Sequence, residues 1–313
     1  MQNRRKFVKN ILIGAAGIST LSSFDMLGIV SKEKLVKLTI LHTNDMHSRI
    51  DPFGPNDKKY ANQGGMSRVA TLIEQIRNEE SNVILLDAGD IFQGTPYFNL
   101  FGGEVELKLM SQMKYDASTM GNHDFDNGID GFNNVLHNAN FPFLCANYDF
   151  DDTILKGKTK PYHIIEKQGI KIGVFGIGIE LDGLVDSRLY GNTIYRNPIT
   201  TANKYAKLLK EEHACNAVIC LSHLGHDYEH ETLSDKILAK ETKDIDLIIG
   251  GHTHTFLDKA VTFSNKDGKP TLVNQAGWAA LRLGRVDFYF SREKERIDDL
   301  NASFRPSKNY AKI

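Results

Sequence analysis

The chain is poor in cysteine: its 313 residues hold only Cys145, Cys215 and Cys220, too few and odd in number for a disulfide framework. Two of the three lie in or beside apolar runs, so they read as small core residues. A basic excess is also missing, since 38 Lys and Arg face 39 Asp and Glu for a net charge of -1. The segment 1–30 carries Arg4, Arg5, Lys6 and Lys9 against Asp25, which leaves the remainder more acidic still. Such a surface has little with which to grip a polyphosphate backbone, and a polymeric nucleic-acid substrate is disfavoured. No apolar run is long and uninterrupted enough to read as a membrane span. Internal repeats and low-complexity linkers are absent too. What is present, 41% hydrophobic residues, suffices for one large domain or two small ones with a full core.

The apolar stretches Leu38 to Leu41, Val83 to Leu86, Ala217 to Leu221 and Ile245 to Ile249 are continuous rather than alternating. That pattern predicts strands of a sheet covered on both faces. After such runs stand the polar clusters Asp45-Met46-His47, Gly89-Asp90, Gly121-Asn122-His123-Asp124, Ser222-His223 and Gly250-Gly251-His252-Thr253-His254. Singly, each has a bland explanation: a helix cap, a turn, or a satisfied polar pair. In open α/β sheets, however, ligands collect outside the carboxyl ends of the strands, where clusters far apart in sequence can converge. Imidazole, carboxylate and amide donors gathered this way point to a two-metal phosphoester hydrolase.

The segments "LHTNDMHSRI", "GGMSRVATLIEQIR", "LLDAGDIFQGTPYF", "YDASTMGNHDFDNG", "LSHLG" and "DLIIGGHTHT" carry a closer likeness. In this order they resemble the 5'-nucleotidase branch of the calcineurin-like metallophosphoesterases, over about residues 36–305. The resemblance implies an α/β fold, a four-layer α/β-β/α sandwich. It implies that Asp45, His47 and His254 hold a first metal, that Asn122, His223 and His252 hold a second, and that Asp90 bridges both. His123 and Asp126 match the family's catalytic dyad. Asp124 stands where the family often has Glu, a change expected to matter little. Many members continue into a second domain that holds the nucleobase between aromatic rings. That domain is expected to be absent here, which would leave base recognition to a separately encoded partner, or leave a less selective phosphatase.

The chemistry accounts for the residue types. Two divalent cations about 3.5–4 Å apart can share a hydroxide nucleophile and neutralise phosphoryl oxygens during in-line displacement. An imidazole beside them, with its other nitrogen held, can donate to the leaving oxygen, and His123 held by Asp126 fits. No cysteine is among the expected ligands, so Zn, Mn, Fe or Co would serve, with geometry and supply choosing.

Other features are weaker. His226 and His230 follow His223 without the spacing of a zinc-peptidase helix, and read as solvated loop histidines, with His226 close enough to line the pocket. Gly176-Ile177-Gly178 lacks the third glycine of a dinucleotide loop and reads as a strand-end turn. Arg68 reads as a surface arginine on an amphipathic helix after Gly64-Gly65, and Thr95 and Tyr97 as loop packing.

At the amino terminus, "NRRKFVKN" followed by the apolar, Gly- and Ala-rich "ILIGAAGISTLSS" reads as a twin-arginine export signal over 1–30. It implies a periplasmic or cell-envelope location, reached after folding. No small-x-small cleavage site stands out near Phe24 to Ile29, so an uncut leader could act as an anchor. No cysteine precedes Cys145, which gives no support to a lipoprotein attachment. The leading expectation is an exported enzyme releasing phosphate from nucleoside 5'-monophosphates. Cyclic 2',3'-nucleotides, nucleotide sugars and general phosphoesters are same-chemistry alternatives. A catalytic subunit dependent on a base-binding partner is another alternative. A non-catalytic metal-binding subunit is disfavoured because every expected ligand is in place.

Overall fold

The computed structural model describes residues 35–291 and 293–296. The leader expected over 1–30, and the end of the expected 36–305 domain from 297 onward, lie outside the described residues. The chain divides into Met1–Leu35 and Val36–Ile313, and the described architecture belongs to the second unit.

In chain order the strands are β1 (Val36–Thr43), β2 (Val83–Asp87), β3 (Ala117–Ser118), β4 (Tyr148–Asp149), β5 (Tyr162–Lys167), β6 (Ile170–Ile177), β7 (Ile194–Tyr195), β8 (Ala217–Ser222), β9 (Leu247–Gly250), β10 (Val261–Ser264), β11 (Pro270–Asn274) and β12 (Gly284–Phe290). The α-helices are α1 (Met66–Glu79), α2 (Pro96–Phe101), α3 (Glu104–Gln112), α4 (Gly128–Val135), α5 (Ser187–Tyr190), α6 (Pro198–Lys207) and α7 (Asp235–Glu241). One sheet runs β12-β1-β2-β3, with β1, β2 and β3 parallel and β12 antiparallel to β1. The other runs β10-β11-β9-β8-β6-β5; β11, β9, β8 and β6 are parallel, and β10 and β5 are antiparallel edges. A short antiparallel pair, β4 with β7, stands apart.

The continuous apolar runs become intelligible once each side chain is assigned to a face. Alternate residues of a strand point to opposite sides. Leu38, Ile40, Ile84 and Leu86 of the first sheet pack with Ile172, Val174, Ile219, Leu221, Leu247 and Ile249 of the second, forming the core between the sheets. Leu41, Val83 and Leu85 face the other way, onto Val69, Ile73, Ile76, Leu107 and Met110 of α1 and α3. Val218, Cys220 and Ile248 face Ala202 and Ala206 of α6 and Leu238 of α7. Helix, sheet, sheet and helix therefore make four layers, as the resemblance implied. Cys145, Cys215 and Cys220 are free and buried, small core residues as their surroundings suggested. Among the described residues no helix is long and apolar enough to cross a membrane.

Parallel pairing has a functional consequence. The carboxyl ends of β1, β2 and β3 share one edge of their sheet, and those of β8 and β9 share one edge of the other. The polar clusters begin where those strands stop.

Ile219 lies fully buried in β8 between the sheets. Ile219→Ala should cost about 2–5 kcal/mol, seen in urea unfolding as a lower midpoint at unchanged slope. A loss below about 1 kcal/mol would mean the sheets do not interlock there.

Candidate metal centre

After Thr43 the chain leaves β1 and turns at once, with Asp45 at φ 51 and His47 at φ 48. Asp90 (φ 54), His252 (φ 70) and His254 (φ 52) are held in the same left-handed region. Each such residue costs on the order of 1 kcal/mol or more, and strain of this kind persists only where surrounding structure imposes it. Here hydrogen bonds impose it. The N–H groups of Asp90, Ile91, Phe92 and Gly121 donate to the buried Asp124 carboxylate at 2.9, 3.0, 3.2 and 2.8 Å. Asp87 accepts from Thr43 Oγ1 at 2.6 Å, Gly89 N at 2.9 Å and Ser118 Oγ at 2.9 Å, tying the ends of β1, β2 and β3 together. Gln275 does the same for the histidine loop: its Nε2 donates to Gly251 O, and its Oε1 accepts from Thr255 N at 2.5 Å and Thr253 Oγ1 at 3.1 Å.

These ties bring the expected ligands together in two groups. Donor atoms of Asp45, His47 and His254 lie within 4.8 Å of one another, and so do those of Asp90, His223 and His252. In the first group His47 Nε2 is 3.0 Å from His254 Nε2, and Asp45 Oδ1 is 3.3 Å from His254 Nε2. In the second, Asp90 Oδ2 is 2.9 Å from His223 Nε2. Asn122 Oδ1 joins that group at 2.9 Å from His252 Nδ1. Asp90 stands between the groups, its Oδ2 also 3.9 Å from His47 Nε2. His123 packs edge-on to His47 at 5.2 Å between centroids, and its Nδ1 is 2.8 Å from Asp126 Oδ2.

A divalent cation suits these donors better than hydrogen bonding does. His223 Nε2 is fully buried and has only the Asp90 carboxylate, at 2.9 Å, to face among the described residues. His47 and His254 point Nε2 at Nε2, an approach that metal coordination explains directly. Space is reserved as well: a Cβ on Gly121 would collide with Asp90 Oδ1 and with the His223 ring. The backbone N–H groups of His252 and His123 donate to Asp45 Oδ1 and Asp90 Oδ1 at 3.0 and 2.8 Å, fixing the two carboxylates.

Charge is correspondingly displaced. Burial alone would raise Asp90, but His223 and then His47 hold its carboxyl well below the usual range. Burial opposes a proton on His223, yet the Asp90 carboxylate overrides it and raises the imidazole to about 10. Burial and the neighbouring His223 push His252 down to about 4, and burial lowers His47. The Asp126 hydrogen bond raises His123 against the effect of its partial burial.

Other residues singled out in the sequence fall outside this cluster. Arg68 donates to Asn62 O, Thr95 Oγ1 to Ser48 O at 2.7 Å and Tyr97 OH to Asp51 at 2.8 Å. His230 is exposed, whereas His226 is half-buried against the Thr253 hydroxyl, less solvated than expected. Asp124, which stands where the family often has Glu, accepts N–H groups from both the loop after β2 and the loop after β3. Asp87, Gln275 and Trp278 were missed. The only sequence signal was for Asp87, which lies inside the segment "LLDAGDIFQGTPYF"; Gln275 and Trp278 had none.

Comparisons with known proteins bear on the family and the fold. Residues 38–256 match the family model for calcineurin-like phosphoesterase. The trifunctional nucleotide phosphoesterase protein YfkN of Bacillus subtilis is 35% identical over 294 residues, covering 84% of this chain and 19% of that protein. The structure of Haemophilus influenzae NAD nucleotidase superposes with a TM-score of 0.73 at 31% identity, covering 84% of this chain and 49% of that one. A 5'-nucleotidase precursor from Thermus thermophilus gives 0.75 at 29% identity, covering 84% and 53%. The chain thus spans about half the length of these relatives, or less. Because the matched segment runs through every cluster from Asp45 to His254, the chain belongs to the calcineurin-like phosphoesterase family and is a metal-dependent phosphoester hydrolase.

Proposed function

We propose that the chain releases phosphate from nucleoside 5'-monophosphates at the centre between its two ligand groups. The observation that carries this reading is Asp90, which faces His223 at 2.9 Å and His47 at 3.9 Å while His123 stands alongside. In this reading Asp45, His47 and His254 hold one divalent cation, Asn122, His223 and His252 the other, and Asp90 both. Zn, Mn, Fe and Co all suit the donor set. When bound, such a pair supplies positive charge for the phosphoryl oxygens and an acidified water as nucleophile.

The chain's own residues do the rest. Asp126 fixes the His123 ring through Nδ1, which leaves Nε2 to donate to a phosphoryl or leaving-group oxygen as charge develops. Asp124 and Gly121 keep Asp90 at the midpoint and leave room beside it. Nucleotide chemistry is supported by the relatives' names, which speak of nucleotides and NAD. The twin-arginine leader read over 1–30 supports export, and a separately encoded base-binding partner would add selectivity.

Four outcomes follow. Stripped of metal by a chelator, the full chain should regain stability on adding Mn²⁺ or Zn²⁺, about 2.7 kcal/mol per ion at a hundredfold excess over Kd. That corresponds to a rise in Tm of about 5 °C or more. Asp90→Asn should stay folded, bind metal more weakly and lose turnover, whereas full activity would remove its bridging role. His123→Asn should keep both ions and slow turnover roughly 10²–10⁴-fold; loss of metal instead would make His123 a ligand. Phosphate release should be fastest from AMP, slower from a 2',3'-cyclic nucleotide and an aryl phosphate. Equal rates on AMP and the aryl ester would leave a general phosphatase.

A further inference from the structure

We propose that Trp278 is a positioning residue: its indole aims the His254 imidazole, and through it shapes the first ligand group. The inference rests on the ligand reading above. The two rings stack with centroids 5.3 Å apart and planes only 3° from parallel.

Histidines that bind metals are ordinarily aimed by a hydrogen bond at the other ring nitrogen. His47 Nδ1 lies 3.3 Å from Phe92 O, and His223 Nδ1 lies 2.7 Å from Ala88 O. His254 differs. Its Nε2 meets His47, and its Nδ1 has no hydrogen-bond partner among the described residues. Its side chain is 38% exposed and its backbone sits at φ 52. An imidazole so placed has a broad torsional well about the bond to its ring, held at one end by His47 and Asp45, and a contact across its face narrows it further. The indole supplies that contact.

Trp278 is itself held for the purpose. Asn44 Nδ2 donates to Gly277 O at 2.6 Å, and Ala279 N donates to the carbonyl of Asp45 at 2.7 Å. The turn around it is strained, with Gly277, Ala279 and Ala280 at φ 83, 54 and 56. Phe53 and Tyr60 stand edge-on to the indole at 5.8 and 6.3 Å. The strained turn is thus tied to Asp45, the same residue whose carboxylate faces His254 Nε2 at 3.3 Å. Filling apolar space would need none of this, and Trp278 is only half-buried.

Trp278 is the chain's only tryptophan, so its emission reports on the stack directly. The test uses the full chain, stripped of metal and titrated with Zn²⁺ against a chromophoric chelator. The wild type should take up two equivalents. Trp278→Leu should weaken one of them roughly 10–100-fold and spare the other, while Trp278→Phe, which keeps an aromatic face, retains most of the affinity. Titration of the wild type with Co²⁺ should quench the emission in step with a single equivalent, and Asp45→Asn should abolish that quench. Unchanged zinc binding by Trp278→Leu, equal loss of both equivalents, or a quench that survives Asp45→Asn would each overturn the proposal while leaving the metal reading intact. A wild type that binds no zinc would overturn both. Should the leucine variant fail to fold, Trp278→Met, which fills the space without a flat face, takes its place in the zinc titration, with the same selective loss expected.

Discussion

The arrangement at the carboxyl ends of the strands depends on one buried carboxylate that touches no expected ligand side chain. Asp124 accepts from the N–H groups of Asp90, Ile91, Phe92 and Gly121, so the loop after β2 and the loop after β3 are drawn onto a single point. That closeness brings Gly121 against Asp90 and His223, and it places the N–H of His123 on Asp90 Oδ1. Hydrogen bonds to a charged acceptor contribute about 1.5–3 kcal/mol each, while a buried N–H left unpaired costs about 1–3. Removing this acceptor would therefore release both loops together. Burial and the nearby Asp90 push the Asp124 carboxyl up to about 7, and positive charge at the centre favours its ionised form.

Much of this was legible before any coordinates. The strands could be read because both faces of β1, β2, β8 and β9 are buried, which writes unbroken apolar runs into the chain. The residues that the structure gathers into two groups could be read because strand ends are where such residues collect, and because the surrounding motifs resemble a family. What escaped were contacts made across the fold. Asp87 looks like the end of a strand, Gln275 like loop polarity and Trp278 like one more aromatic. Their importance lies in Thr43, Ser118, Gly251 and His254, residues up to a few dozen positions away that only the tertiary structure brings near. Period and propensity describe neighbours along the chain, and staples of this kind have none there. The two-residue β3 and the β4 with β7 pair are short for the same reason: they are fixed by what they touch.

The centre is a local liability that the rest of the molecule must offset. Asp45, His47, Asp90, His252 and His254 all occupy left-handed backbone, and the carboxylates and imidazole of Asp45, His47 and Asp90 are buried besides. At roughly 1 kcal/mol or more for each, the backbone strain alone is comparable with a sizeable part of the 5–15 kcal/mol net stability of a typical domain. The apolar cores can bear that load, since burying one large aliphatic side chain contributes about 1.5–3 kcal/mol. The cost is not wasted. A loop free to relax would turn its ligands toward water or toward one another, and would have to be ordered again by each arriving cation. Strain imposed by Asp87, Asp124 and Gln275 settles that ordering during folding, so the binding energy of a cation goes into binding and not into arranging its ligands.

The residues of the two groups are accordingly held by different means. Asp90 and Asp45 are fixed by backbone N–H groups, His47 and His223 are aimed at backbone carbonyls, and His123 is paired with a carboxylate. Each device suits its depth. Deep in the site a carbonyl at the end of a strand is always near, and it fixes an imidazole with little motion. At the rim, where His254 is 38% exposed, strand ends have run out and water competes for every hydrogen bond. A flat apolar ring keeps its hold there, because stacking loses less to water than a neutral hydrogen bond does. The means of orientation thus changes from polar at the buried Asp45, His47, Asp90 and His223 to aromatic at the half-exposed His254.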